Sequence, residues 1–318
     1  MTIKVVSRGF NIPGGVYEHT PGHVFVSDPE CRDYDWLVCY DELPADERLA
    51  CPRERTILAT CEPVSIKCYS RAYTNQFGHL LTNRPESASP HPRYHLGRGY
   101  YKWFCDKTMA EAREPVGEKT QVISAVCSSK RMRQTKHGAR YGLMCALARE
   151  VPGFDWYGRG VRSFGRKCEV MDPYKYHVAV ENHIAPHHWT EKLADAFLCE
   201  CLPLYAGDPA IGECFPEEAV IPIPIDDPAE AVRIVRAAID GGEYEKRREA
   251  VLEAKRLVLE KYNFWQQVVD IVAASGDDGA CGDAEGVTLR GRRALRRRNV
   301  SAALEEGLFR FRQCIGAV

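Results

Sequence analysis

The amino-acid sequence predicts an α/β protein with parallel sheets in two domains, and three observations support this class. Short apolar runs that suit buried strands recur along the chain, and polar segments of helix or loop length separate them. The chain has 318 residues, of which 45% are hydrophobic, enough for two cores of ordinary size. Charged residues directly follow several runs, at the strand ends where open parallel sheets bind ligands.

The first part of the chain predicts one parallel sheet with a carboxylate at its edge. Four apolar runs indicate strands over residues 3–6, 35–40, 55–60 and 77–82. Glu62 comes directly after the third run and before Pro63. A carboxylate at the carboxyl end of a strand can act as a general base, although a solvated loop glutamate would occupy the same position.

The second domain opens with an apolar run over 120–127, a polar basic loop and a helix over 140–149. The loop and the helix start contain six basic residues: Lys130, Arg131, Arg133, Lys136, His137 and Arg140. Such residues between a strand and a helix could cradle a diphosphate. The alternative is a solvated surface loop, an interpretation that suits most of residues 130–133.

Residues 174–209 indicate a strand, a polar loop, a helix and a second strand. Thr190 can cap the helix, which begins at Glu191 and presents free N–H donors and the positive end of its dipole. Lys192 lies in the first turn, where the dipole disfavours a cation. Either an anionic ligand uses both the lysine and the helix start, or Lys192 is an ordinary surface residue. These residues alone leave the two interpretations equally open.

This segment resembles the donor-binding motif of the α-1,3/1,4-fucosyltransferases, glycosyltransferase family 10. In that family a strand ends in Glu-Asn, a helix begins with Thr-Glu-Lys, and the next strand ends near Gly-x-Pro. The matching residues here are Glu181-Asn182, Thr190-Glu191-Lys192 and Gly207-Asp208-Pro209. Val180 and His188 depart from the pattern, because the family has an aromatic residue and a tyrosine there. The resemblance ends near Ala274 and implies a bacterial-type GT-B protein with two Rossmann-like domains facing across a cleft.

The resemblance also implies an inverting enzyme that moves L-fucose from GDP-fucose to a glycan hydroxyl. The linkage would be α-1,3 or α-1,4 to a GlcNAc- or glucose-type residue of a surface polysaccharide or lipid-linked glycan. Glu62 is the implied catalytic residue, taking the proton of the attacking hydroxyl. The implied donor-binding residues are Arg140, Asn182, His188, Glu191 and Lys192, with Lys136, Tyr157, Gly158, Glu181 and Thr190 as further candidates.

No cofactor or metal is expected. The chain has no convincing Asp-x-Asp motif, so Arg140, Lys192 and the helix dipole would stabilise the leaving diphosphate. Four histidines fall close together, at His177, His183, His187 and His188, but they lack a strong ligand periodicity. A metal site is therefore the weaker interpretation of this cluster.

Composition restricts the partners and the compartment. The net charge of -1 gives no global bias toward nucleic acid. No stretch approaches the about 20 apolar residues of a membrane span, and the N-terminus lacks the apolar core of a signal peptide. The 14 cysteines are scattered and form no C-x-x-C pair, which favours reduced thiols. We therefore expect a cytoplasmic protein.

The predicted domain organisation has three parts, over residues 1–118, 119–274 and 275–318. The first boundary lies in the charged segment 107–119, and the last part begins with a flexible acidic linker. A basic run from Arg290 to Arg298 and an amphipathic helix follow. They suit a peripheral contact with the inner face of the cell membrane, although a disordered tail is an equal alternative.

Two other functions stay open on these residues. One is the same fold acting on another GDP-sugar, because the residues that select the sugar cannot be read from the chain. The other is a non-catalytic reader of nucleotides or glycans, docked on a membrane by its basic tail. Turnover separates them, since a reader would release no GDP from a donor.

Overall fold

The computed structural model describes residues 1–10, 12–99, 105–130, 136–276 and 286–315. Arg131 and Arg133 of the basic loop and most of the acidic linker lie outside the described residues. The chain forms two compact units, Met1–Gly97 with Trp265–Val318, and Arg98–Phe264. Each unit contains a mainly parallel sheet with helical connections, which confirms the predicted α/β class with Rossmann-like domains.

The first unit is built on a seven-stranded sheet. Its elements before Gly97 are β1 (Thr2–Ser7), β2 (Val16–Thr20), β3 (His23–Val26), β4 (Trp36–Tyr40), β5 (Glu47–Arg48), β6 (Thr56–Ala59), α1 (Arg71–Thr74), β7 (His79–Thr82) and β8 (Tyr94–Leu96). The strand order is β2-β3-β1-β4-β6-β7-β8, and all pairs are parallel except β2 with β3. The four predicted strands correspond to β1, β4, β6 and β7, which carry most of the buried apolar residues before Gly97.

The second unit contains a five-stranded parallel sheet. Its elements are α2 (Met109–Arg113), β9 (Gln121–Val126), α3 (His137–Glu150), β10 (Phe154–Tyr157), β11 (Tyr174–Val180), α4 (Glu191–Leu198), β12 (Leu202–Ala206), β13 (Ile221–Pro222), α5 (Pro228–Asp240) and α6 (Glu243–Glu260). The strand order is β10-β9-β11-β12-β13, so the chain first adds a strand on one side of β9 and then reverses to the other side.

The C-terminal elements are α7 (Phe264–Ala274), β14 (Thr288–Leu289), α8 (Arg292–Arg298) and α9 (Val300–Cys314). From Trp265 onward they group with the first unit. The ring of Trp265 packs 4.9 Å from that of Phe25, and β14 pairs antiparallel with β5. The described part of the C-terminal segment is therefore folded onto the first sheet, unlike the separate tail that the sequence predicts.

The division between the units also differs from the predicted boundary at residue 118, because it follows Gly97. The segment after it is tied to the second unit by hydrogen bonds. Lys107 Nζ lies 2.7 Å from a carboxylate oxygen of Asp172, and Val116 N donates to Glu200 Oε1 at 3.0 Å. Charge and Pro/Gly content indicate an exposed connection, but they do not reveal which core holds it.

Candidate functional site

The sheet of the second unit has a topological switch point between β9 and β11. These two strands are neighbours, while their following connections lead to opposite sides of the sheet. In open α/β sheets, ligands bind in the crevice outside the carboxyl ends of the strands at such a point. The segments that leave β9 and β11 contain most of the donor-binding residues predicted from the sequence.

Arg140 lies in the first turn of α3, the helix that follows β9. Its side chain is buried, and Nη2 contacts the Cys127 sulfur at 3.2 Å. The Nε atom is buried and has no hydrogen-bond partner among the described residues. An orphaned guanidinium N–H of this kind is costly unless a ligand or water accepts from it. Arg140 is therefore anchored at one nitrogen and unsatisfied at another.

The loop after β11 meets the start of α3. The backbone N–H of Lys136 donates to the carbonyl oxygen of Asn182 at 3.2 Å. Asn182 Oδ1 is buried and has no hydrogen-bond partner within the described part of the chain. Arg140 and Asn182 thus each bring an unsatisfied polar atom to the segments that flank the switch point.

The first turn of α4 is organised by Thr190 and Glu181. Thr190 accepts from the backbone N–H of Lys192 at 3.4 Å, as the predicted cap. The Glu181 carboxylate is fully buried and accepts from Thr190 N at 2.8 Å and from Thr190 Oγ1 at 2.9 Å. Burial raises the pKa of Glu181, against the opposing charge of Lys192.

Lys192 has carboxylate partners of its own. Its Nζ lies 3.4 Å from Glu181 Oε2 and 3.0 Å from Glu191 Oε1. Although burial opposes ionisation, Lys192 and then Lys167 hold the pKa of Glu191 at about 2. The cation in the first turn is therefore compensated inside the protein, which neither sequence interpretation of Lys192 included.

A positive field nevertheless extends over this edge. The pKa of His137 is lowered by burial and then by the charges of Arg140, Lys130 and Lys192. Although burial opposes it, the carboxylates of Glu181 and Glu191 raise the pKa of Lys192 and outweigh the smaller opposing charge of Arg140. The unsatisfied guanidinium of Arg140 at the start of α3 therefore remains the group that favours an anion at this edge.

Three further candidates have roles inside the protein fold. Glu181 is covered and bonded to Thr190, so we reassign both from candidate donor contacts to residues that position α4. The hydroxyl of Tyr157 lies 2.8 Å from that of Tyr174, within a hydrophobic cluster. The polar atoms of these three side chains therefore already have protein partners.

Gly158, another candidate donor-binding residue, allows its backbone to approach that of Cys127 closely. Its φ angle is 136°, and an added Cβ would lie 2.5 Å from the Cys127 carbonyl oxygen. A side chain at this position would therefore push apart the ends of β9 and β10. Lys136, by contrast, is partly exposed and forms a 2.7 Å ion pair with Asp226.

The histidine cluster is divided by the fold. His177 lies within β11, where its Nδ1 and Ser124 Oγ are 2.9 Å apart. The ring of His188 is buried and packs edge-on against His183 with 5.2 Å between the centroids. Within the described residues, no group of three or more His, Cys, Asp or Glu side chains could hold a metal ion.

Glu62 lies in the first unit, in the loop that follows β6. The residue is exposed, and its backbone is held firmly. Its carbonyl oxygen accepts from Arg84 Nε at 3.1 Å and from Arg84 Nη2 at 2.7 Å. Its backbone N–H donates to the Tyr69 hydroxyl at 3.4 Å. Glu62 is thus a surface carboxylate on a fixed loop at the carboxyl edge of the first sheet, as predicted.

Sequence reasoning missed the polar network beside Glu62. Asp41 follows β4 with a φ angle of 70° and accepts a short hydrogen bond from the Tyr69 hydroxyl. Lys67 Nζ lies 2.6 Å from Asp41 and 3.0 Å from Glu42. An acidic pair directly after a strand is a visible signal, but the partners come from another loop.

Comparison with known proteins gives matches at low identity. A scan of protein-family models and a search of curated proteins found no match. The structure is similar to a crystallised α1,3-fucosyltransferase with GDP-fucose, at 14% identity over 83% of this chain and 91% of that one, with a TM-score of 0.49. It is also similar to HepE of Anabaena in complex with UDP-glucose, at 13% identity over 76% and 79% of the two chains, with a TM-score of 0.46.

A third similar structure is sucrose-phosphate synthase from Thermosynechococcus elongatus, at 10% identity over 86% of this chain and 88% of that one, with a TM-score of 0.43. All three named proteins are glycosyltransferases. No helix in the described part of the chain is long and apolar enough to cross a membrane.

Proposed function

We propose that this protein is a metal-independent, inverting glycosyltransferase of the GT-B type that transfers L-fucose from GDP-fucose to a glycan hydroxyl. One observation carries the proposal. At the switch point of the second sheet, Arg140 and Asn182 leave buried polar atoms without partners among the described residues. The diphosphate and ribose of a nucleotide sugar supply acceptors and donors that would complete both, beside the first turn of α4. The Glu-Asn and Thr-Glu-Lys pattern adds the preference for GDP-fucose.

The proposed reaction is a single displacement. Glu62 takes the proton of the acceptor hydroxyl while the hydroxyl oxygen forms a bond to the anomeric carbon of fucose. The bond from that carbon to the diphosphate breaks on the opposite face, and GDP leaves with the electron pair. Arg140 and the α4 N-terminus stabilise the charge on the diphosphate, with Lys192 held nearby by Glu191 and Glu181. The linkage would be α-1,3 or α-1,4.

The first test is a titration of the full chain with GDP, UDP, ADP and CMP, followed by an assay of GDP release from GDP-fucose with mixed glycan acceptors. We expect saturable binding that is selective for GDP, and release that depends on an acceptor. Binding without release would indicate a non-catalytic reader. That alternative gains some support from Lys192, whose charge the protein already compensates. Absence of any nucleotide binding would refute the transferase proposal.

The proposal includes a peripheral membrane contact. We assign it to α9 and the two arginines before it, and no longer to the whole basic run. Three arginines of the predicted basic run face carboxylates of the first unit, in the pairs Arg290–Asp46, Arg292–Glu42 and Arg296–Glu306. Helix α9 instead exposes an apolar stripe of large side chains: Val300, Leu304, Leu308, Phe311 and Ile315. Exposed Arg297 and Arg298 lie just before this helix. A stripe beside cations suits an anionic lipid surface.

We expect the full chain to sediment with vesicles containing phosphatidylglycerol more than with neutral phosphatidylcholine vesicles. The variant Leu304→Ser/Phe311→Ser should lose most of this binding, because it removes two apolar side chains from the stripe. Ser301→Ala on the same helix is the control and should bind like the wild type. Equal sedimentation with both vesicle types, or no effect of the double variant, would contradict the membrane contact.

A further inference from the structure

The first unit contains a cavity of about 450 Å³ beside the loop that carries Glu62. One wall is the segment after β6, including Val64, Lys67 and Tyr69, and another is α9, through Leu308, Phe309 and Arg312. Arg84 also lines the cavity, and the same guanidinium holds the Glu62 carbonyl oxygen at 2.7 Å. A ligand in this cavity would therefore lie next to the segment that positions the proposed general base.

The cavity is lined by more positive than negative charge. Its side chains include Lys67, Arg71, Arg84 and Arg312, against the single carboxylate of Glu305. Lys67 is paired with Asp41 and Glu42, and Arg84 is committed to backbone carbonyls. The side chains of Arg71 and Arg312 have no ion-pair partner among the described residues. Two uncompensated guanidinium groups therefore remain for a ligand.

Guanidinium groups recognise carboxylates and phosphates with paired hydrogen bonds. The hydroxyl groups of Thr74, Ser87 and Ser89 add polar lining, and Val64 and Leu308 give apolar surface. A sugar ring has both polar and apolar faces, so this combination suits a sugar that carries an anionic substituent. A neutral glycan would offer the two arginines hydroxyl acceptors only, without the stronger charge-assisted contact.

Helix α9 also braces the loop that carries Glu62. Gln313 Nε2 donates to the carbonyl oxygen of Ser65 at 2.9 Å, and Arg71 N donates to Glu305 Oε2 at 3.0 Å. The helix therefore forms one wall of the cavity and is hydrogen-bonded both to the loop after β6 and to the start of α1. Its position makes the C-terminal segment part of the cavity lining.

We propose that this cavity binds the acceptor through an anionic group, a phosphate or a carboxylate on the glycan, held by Arg71 and Arg312. The assignment rests on the proposed transferase function, because it identifies the ligand beside Glu62 as the acceptor. It restricts the acceptor class to acidic glycans. The chemistry of the two arginines is common to a sugar phosphate and a uronic acid, and the probes below separate them.

The test titrates the full chain, in the presence of saturating GDP, with N-acetylglucosamine 1-phosphate, glucuronic acid and N-acetylglucosamine, followed by ligand-observed NMR. GDP blocks the proposed donor site, so binding of a sugar phosphate there is excluded. We expect saturable binding of at least one anionic sugar and at least about tenfold weaker binding of the neutral one, since a charge-assisted contact is lost. Binding of the phosphate alone or of the uronic acid alone identifies the group.

The variant Arg71→Gln/Arg312→Gln should weaken anion binding about tenfold or more, whereas Arg310→Gln on the exposed side of α9 should leave it unchanged. Affinity that is equal for neutral and anionic sugars, or unaffected by the double variant, overturns the proposal. A separate GDP titration keeps the two proposals apart. If GDP binds and the anionic sugars do not, the acidic acceptor is wrong while the transferase remains. If the sugars bind in this pattern and GDP does not, the donor assignment fails.

Discussion

Replacing Glu62 by glutamine is expected to lower the rate of sugar transfer by about 10²- to 10⁴-fold, the usual contribution of a general base. Glutamine has the same shape but cannot take the proton of the acceptor hydroxyl. The contacts that fix the loop use the backbone of Glu62, through Arg84 and Tyr69, so they survive the change. The measurement is GDP release from GDP-fucose with acceptor, beside a GDP titration that should be unchanged.

Glu54→Gln is the matched control, because Glu54 is an exposed glutamate just before the amino end of β6, the strand that Glu62 follows. It should transfer sugar like the wild type. Full activity of Glu62→Gln would show that another group takes the proton. Loss of GDP binding in that variant would mean that Glu62 contributes to the donor site instead.

Arg140→Lys is expected to weaken GDP binding by about 10- to 100-fold while leaving the affinity for guanosine unchanged. Lysine keeps the positive charge, but it lacks the planar fork that binds two phosphate oxygens and the unsatisfied Nε donor of this arginine. Because Arg140 is buried in the first turn of α3, a thermal unfolding curve of the variant should accompany the titration.

Arg149→Lys, at the other end of α3, is the control for a general effect on this helix. Arg149 is exposed and interacts with its neighbour Glu150, so its replacement should leave GDP binding intact. Equal losses of GDP and guanosine affinity in Arg140→Lys would indicate a collapsed site rather than a lost phosphate contact. An unchanged GDP affinity would remove Arg140 from the donor site.

Much of the core could be predicted because the central strands are continuous apolar runs in the sequence. The apolar runs of β4 and β6 are buried on both faces and therefore read as continuous strands. The start of α4 could be predicted from the Thr190 cap and the apolar face of the helix, since both are patterns within a few turns. The edge strands β2 and β8 were missed, because their half-exposed, polar sequences carry no such run.

The candidate site was predicted in composition but not in arrangement. The sequence placed basic residues and a capped helix after two strands, yet it did not reveal that Glu181 lies under Thr190 and compensates Lys192. The family resemblance singled out Arg140 among the basic residues of its loop, but the loop sequence offered no physical reason for the choice. The structure supplies one, the burial of its guanidinium at the switch point, which depends on strand order.

The sequence by itself determined the α/β class, the central strands and the succession of strand, loop and capped helix over residues 174–198, because each depends on residues within a few positions of one another. Only the tertiary structure decided which charges are compensated and where the C-terminal helices lie. Arg292 pairs with Glu42, 250 positions away, and that choice depends on which loops the sheet brings together. Such contacts have no local signature, and here they make α9, which was predicted from the sequence to be part of a tail, a wall of the cavity near the loop that carries Glu62.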